Sequence, residues 1–190
     1  SDLWFATATG GSTSEKMRIN ASGNVGIGTT SPDFQLDIEN SSNAIARLHA
    51  GTNASASLRL QNDAQHFDLN LQTNDKFAIY DHTAGTQPFT IMPTSGNVGI
   101  GTTSPIAKFE VTDGSSSITL QEYSSGAAIF LDGVNGDFTG GDYFHILANS
   151  NSYLGLGGYG GGTTPLNISN VGKVGIGTTS PSSPLHISGS

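Results

Sequence analysis

Apolar residues recur at every second position over short runs along this chain, and the runs are separated by turns rich in Gly, Asn and Asp. Leu36-Asp37-Ile38, Phe77-Ala78-Ile79, Phe89-Thr90-Ile91, Phe109-Glu110-Val111 and Leu166-Asn167-Ile168 are apolar–x–apolar triplets. That is the period-two pattern of a strand with one buried face. It predicts strands near 35–39, 44–49, 57–61, 67–71, 76–80, 89–92 and 98–101. A second series is predicted near 108–111, 117–121, 127–131, 143–148, 153–156, 166–168 and 174–177. Asn62-Asp63, Asp113-Gly114, Asp132-Gly133 and Asn135-Gly136 supply turn residues between them. Helix signals are nearly absent. The Ala-rich stretch from Ser42 to Ala50 is the one candidate, and it alternates as a strand does, so it is read as a strand.

One string stands out. Gly23-Asn24-Val25-Gly26-Ile27-Gly28-Thr29-Thr30-Ser31-Pro32 returns unchanged as Gly96 to Pro105, and as Gly172 to Pro181 with only Lys173 differing. The spacings are 73 and 76 residues. Recurrence at a nearly fixed period is the mark of a repeated structural unit. Each copy is preceded by an alternating pair (Met17 and Ile19, Phe89 and Ile91, Leu166 and Ile168) and followed by another (Leu36 and Ile38, Phe109 and Val111, Leu185 and Ile187). The register gives 1–32 as the last part of one β module, 33–105 and 106–181 as complete modules, and 182–190 as the start of a further one. The chain is therefore expected to be a window from a longer array.

Within the string, Val25 and Ile27 share one strand face, and Gly26 and Gly28 the other. Paired glycines on one face predict a close approach of another backbone or a ring. Thr29 and Thr30 favour extended backbone, and Pro32 fixes its own φ and restricts Ser31. Each copy is expected to be a short strand leading into a stiff, extended linker, an inter-module joint. The joint residues are Val25, Gly26, Ile27, Gly28 and Pro32; Val98, Gly99, Ile100, Gly101 and Pro105; Val174, Gly175, Ile176, Gly177 and Pro181.

Composition narrows the class. Charged residues make up 12% and hydrophobic ones 35%, against 26 glycines. Both fractions fall below the average globular protein, so a thick private core is not expected, and strands that share a core with neighbouring chains are. Seven basic against 15 acidic residues give a net charge of −8. That argues against a nucleic-acid partner and against attraction to an anionic membrane. No apolar run is long enough to insert into a membrane, and the absence of cysteine excludes disulfides and thiolate metal sites.

With Ser22 and Ser95 added, the string Ser-Gly-Asn-Val-Gly-Ile-Gly-Thr-Thr-Ser-Pro, followed by apolar–x–apolar, resembles the repeat of bacteriophage tail fibres and related receptor-binding appendages. It is shared by large bacterial surface proteins. The resemblance implies an all-β, elongated array of modules of about 75 residues in an intertwined or side-by-side homotrimer. It places the protein in a virion or outside the cell. Members of the family often carry a self-cleaving C-terminal chaperone domain, and no such segment is present here.

Chemical motifs weigh little beside this. The glycines lack both the dinucleotide spacing and a P-loop lysine. Asp132, Asn135, Asp137 and Asp142 could hold Ca²⁺, but their spacing does not fit a Ca²⁺ loop, and the turn reading is favoured. His49, His66, His82, His145 and His186 are scattered, and His145 has a carboxylate three residues before it, Asp142. Asp68, Asp75, Asp81 and Asp137 offer no pair recognisable as a glycosidase couple. Tyr153 and Tyr159, beside glycine runs, are candidate glycan contacts. The expected function is a structural, non-enzymatic shaft segment with no cofactor, whose partners are its own copies and neighbouring fibre segments. It would hold a distal receptor-binding tip. The alternative is a glycan-binding adhesin module contacting host surface polysaccharide, or a bacterial extracellular filament.

Overall fold

The computed structural model describes residues 1–123, 126–132, 143–149, 153–158 and 166–188. Among these residues there are seventeen strands and no helix. The chain is all-β, as its period-two patterning requires.

Residues 1–49 form one compact unit and 50–190 another. The first holds a four-stranded sheet of β1 (Leu3–Thr9), β2 (Ser12–Ile19), β3 (Val25–Ile27) and β4 (Leu36–Ile38). β1 and β2 form a hairpin turning on Gly10 and Gly11, both at positive φ (62° and 85°). Such values suit the primed turns that match strand twist.

The second unit is a thirteen-stranded sheet. Before the second string come β5 (Ala56–Gln61), β6 (His66–Leu71), β7 (Phe77–Asp81) and β8 (Thr86–Ile91), and β9 (Val98–Ile100) lies within it. Then follow β10 (Phe109–Thr112), β11 (Ser117–Tyr123), β12 (Gly126–Asp132), β13 (Tyr143–Asn149), β14 (Tyr153–Gly158) and β15 (Leu166–Ser169). β16 (Val174–Ile176) and β17 (Leu185–Ile187) close the series. Each strand pairs with its neighbours in sequence. The pairs are antiparallel except for β3–β4, β9–β10 and β16–β17, which are parallel. Both sheets are thus mixed.

Two expectations need correction. The strand expected at 44–49 is not formed: residues 43–50 carry no regular structure, and Ile45 is 77% exposed. Ile45 and Leu48 lie three residues apart, an odd spacing that would put them on opposite faces of a strand, so neither face gains a run of apolar side chains. The stiff linker expected after each string is also absent. Instead the chain doubles back, and the strand after the string lies parallel beside the strand within it.

The two faces of the thirteen-stranded sheet differ sharply. Ala78, Thr90, Gly99, Glu110, Thr119, Phe130 and His145 are partners in turn across β7 to β13, and all are buried. This enclosed row is mostly small or polar. Among the described residues, the one cluster of buried apolar side chains, Phe130 and Leu147 with Ala128, belongs to the same face. The bulk of the aliphatic and aromatic residues points the other way.

Candidate functional site

On the outer face every partner in one cross-strand row is apolar. It runs Phe77, Ile91, Val98, Phe109, Leu120, Ile129, Ile146, Leu156, Leu166, Ile176, Ile187, across β7 to β17. A second row, two residues along each strand, runs from Leu58 through Leu69, Ile79, Phe89, Ile100, Val111, Ile118 and Leu131 to Phe144. The four-stranded sheet repeats the arrangement, with Leu3, Ile19, Val25 and Leu36 in one row and Phe5, Met17, Ile27 and Ile38 in the next. Paired side chains in these rows touch within the sheet, yet Ile100, Ile118, Leu131 and Phe144 stay 39%, 47%, 38% and 43% exposed. A groove of about 710 Å³ opens among Leu120, Ile129, Ile146, Ala148 and Leu154. The apolar rows thus form a continuous, partly exposed face across the sheet.

The three strings build one loop three times. Gly28, Gly101 and Gly177 sit at φ 81°, 78° and 71° and turn the chain out of the strand. A Cβ at Gly101 would collide with the Thr112 carbonyl, so only glycine fits there. Eight residues (28–35, 101–108 and 177–184) then carry the chain back to the parallel strand. Such crossovers usually need a dozen or more. The shortness depends on the middle glycine of each copy, Gly26, Gly99 and Gly175. A Cβ at Gly99 would lie 2.8 Å from the Thr102 carbonyl oxygen and 3.4 Å from the Pro105 ring. The close approach of a backbone and a ring, expected from the bare glycine face, is made by the string's own Thr and Pro.

Hydrogen bonds close the loop. The Ser31, Ser104 and Ser180 amides donate to the Thr29, Thr102 and Thr178 hydroxyls at 3.3, 3.1 and 3.1 Å. Asn24 Nδ2 donates to the Pro32 carbonyl, and Asn97 Nδ2 to the Pro105 carbonyl, each at 3.1 Å. Lys173 stands where the other copies have Asn, and its Nζ reaches the Ser182 carbonyl at 3.3 Å. The residue after each Pro donates its N–H to the central side chain of the returning strand: Asp33 to Asp37, Ile106 to Glu110, Ser182 to His186. Val25 and Val98 lie in the outer rows, Val174 lies on the same face between Ile168 and Leu185, and Ile27, Ile100 and Ile176 are 40%, 39% and 41% exposed. The three isoleucines occupy nearly identical environments.

The remaining candidates disperse. Tyr153 opens β14, and Tyr159, Asn135, Asp137 and Asp142 lie outside the described residues. Asp81 Oδ1 accepts from Gln65 and from the Thr83 and Ala84 amides, capping a turn. Asp75 occupies another turn at φ 64°. His145 is buried on the enclosed face beside the Phe130 ring, and burial lowers its pKa. Among the described residues no group of three or more His, Asp or Glu side chains is placed to hold a metal. No described helix is long and apolar enough to cross a membrane.

Register also assembles a cluster that spacing alone does not show. Arg59 Nε and Nη2 donate to the two Asp68 carboxylate oxygens at 2.8 and 3.1 Å. His82 Nε2 lies 2.8 Å from Asp68 Oδ2, stacks on His66 and meets the Tyr80 ring edge-on. The Arg59 hydrogen bonds, helped by His82, hold the buried Asp68 carboxyl down to about 2. Beside it a polar cavity of about 420 Å³ is lined by Asn70, Gln72, Asn74, Tyr80 and His82. Alternation of Arg59, Asp68 and Tyr80 with apolar neighbours was the signal that one polar row existed here.

Neither any protein-family model nor any curated protein matches the chain.

Proposed function

We propose that this chain is a structural shaft segment of a homotrimeric fibre of the phage tail-fibre kind, carrying a receptor-binding tip at a distance. The observation that supports the reading most is the unbroken apolar row on the outer face of β7 to β17. A sheet that encloses small and polar side chains while exposing Ile, Leu and Phe has its larger hydrophobic surface available for other copies. Burial of that surface is the natural driving force for association. The thrice-built loop fits a part made by repetition, and internal hydrogen bonds hold its shape. The mechanism is mechanical, and no catalytic step is assigned.

Light scattering on the purified chain tests this directly. A mass of three chains is expected, and a stable, compact monomer across the accessible concentration range would overturn the reading. A glycan-binding adhesin module is favoured by one observation, the polar cavity beside Tyr80, His82 and Asn70. Planar polar groups next to aromatic rings suit sugar hydroxyls and sugar faces. Binding on an array of cell-surface polysaccharides, lost in Tyr80→Ala, would support this second reading, and silence across the array would remove it.

A further inference from the structure

β4 has a free edge: it pairs with β3 alone. Its counterpart 73 residues on, β10, pairs with β9 on one side and with β11 on the other. The chain after β4 therefore lacks a strand that the chain after β10 possesses. The same offset sets Ala44, Ile45, Ala46 and Arg47 against Ser117, Ile118, Thr119 and Leu120 of β11. Ile45 matches Ile118 of the outer apolar row, while Ala44 and Ala46 are small where buried Ser117 and Thr119 are small.

The connecting turns match as well, with one difference. Asp113 Oδ1 accepts from the Ser115 amide at 2.8 Å, and Asn40 Oδ1 accepts from the Ser42 amide at 2.9 Å. The turn after β10 places Gly114 at φ 91°. The corresponding residue is Ser41, for which left-handed backbone is unfavourable. A three-residue β4 and an uncovered Ile45 give little in return for closing the loop. Covering the outer face changes that balance, because Ile45 then moves from 77% exposure into an apolar contact.

We infer that residues 44–47 are a latent strand that adds antiparallel to the free edge of β4 when the outer face is covered by other copies. The register is that of β10 and β11: Leu36 opposite Arg47, Asp37 opposite Ala46, Ile38 opposite Ile45, Glu39 opposite Ala44. The inference rests on the assembly reading for its trigger. The partner of the β4 edge is the chain's own segment, and its effect is to extend the apolar row from Ile27 and Ile38 to Ile45.

Cysteine pairs test it without background, since the chain has no cysteine of its own. Directly opposed residues in an antiparallel pair have Cα atoms about 4.5–5.5 Å apart, within disulfide reach. In the associated fraction, Ile38→Cys with Ile45→Cys should oxidise within one chain several-fold more completely than Ile38→Cys with Ala46→Cys, whose side chains would face opposite ways. No intrachain bond, equal bonding in both pairs, or bonding only between chains would overturn the strand. Should light scattering find only monomer, the assembly reading fails by itself. The Ile38→Cys and Ile45→Cys pair in a Ser41→Gly background then decides, because glycine relieves the turn: an intrachain bond supports the strand, and its absence overturns it.

Discussion

The side-chain amide of Asn97 donates to the main-chain carbonyl of Pro105, 3.1 Å away and eight residues on, across the mouth of the loop that returns the chain to β10. Asn24 and Pro32 repeat the bond at the same distance. In the third string the longer Lys173 reaches one residue further, to Ser182. The position thus selects for a donor that can clasp the loop, not for an amide as such.

Asn97→Leu should therefore lower stability by about 1 kcal/mol, the ordinary net worth of one partly buried hydrogen bond. Asn97→Lys should recover most of it. Thermal unfolding of the two variants checks this. Equal melting temperatures for Leu and Lys would mean that the clasp contributes nothing.

The glycines of the string separate by position. Gly101 has φ 78°, and the Thr112 carbonyl occupies the space of a Cβ, so Gly101→Ala combines backbone strain with overpacking. Together these should cost about 2–4 kcal/mol. Gly99→Ala meets the Thr102 carbonyl and methyl at 2.8 Å with ordinary φ, and should cost less. Gly96 has φ 67° and nothing within 4 Å of a Cβ, so Gly96→Asn should be nearly neutral. Chemical denaturation should rank the variants in that order.

All-β architecture and the repeated string could be read from the sequence because both depend on local chemistry. Alternation at Phe109-Glu110-Val111 fixes which residues share a face, and identical strings need no structure to be seen. The return of the chain after each Pro was not legible. Thr29, Thr30 and Pro32 each favour extended backbone singly, whereas the fold is decided by Gly28 at positive φ and by the room that a Gly26 without Cβ leaves for Thr29 and Pro32. Which face is enclosed was equally hidden. Alternation says that Thr119 and Leu120 point apart, but not that the threonine is the buried one. The Arg59–Asp68–His82 cluster depends on the register of three strands, which spacing along the chain does not give.

Acid should weaken the cluster at Asp68 in a defined window. Arg59 on β5 and His82 after β7 favour the carboxylate, so its folded-state pKa of about 2 lies below the unfolded value of roughly 3.9. Between the two, the unfolded chain binds more protons, and stability falls as pH falls. The contribution is fully present above about pH 4 and lost by about pH 2. Asp68→Asn should therefore melt lower than the parent chain at neutral pH, with the difference shrinking as pH drops through this window. Melting curves that stay parallel from pH 7 to pH 2 would show that the ion pair is energetically idle.

The outer face yields the prediction on which the functional reading depends most. Ile100 is 39% exposed and Ile129 37% in the single chain, so truncating either should disturb the sheet itself only modestly. If other copies cover the face, the same side chains become buried. Ile100→Ala should then weaken association by about 2–5 kcal/mol per chain, the cost of emptying a buried aliphatic site. Ile129→Asp, which would strand an unpaired carboxylate beneath the partner, should abolish association. Circular dichroism should still report strand in both variants, because the changed side chains leave every backbone ladder intact. Sedimentation of a dilution series reads the outcome. A fall from trimer to monomer in Ile129→Asp, with partial dissociation in Ile100→Ala at low concentration, is the expected result. Unchanged mass in both would mean that the apolar rows, however continuous, are not where the copies meet.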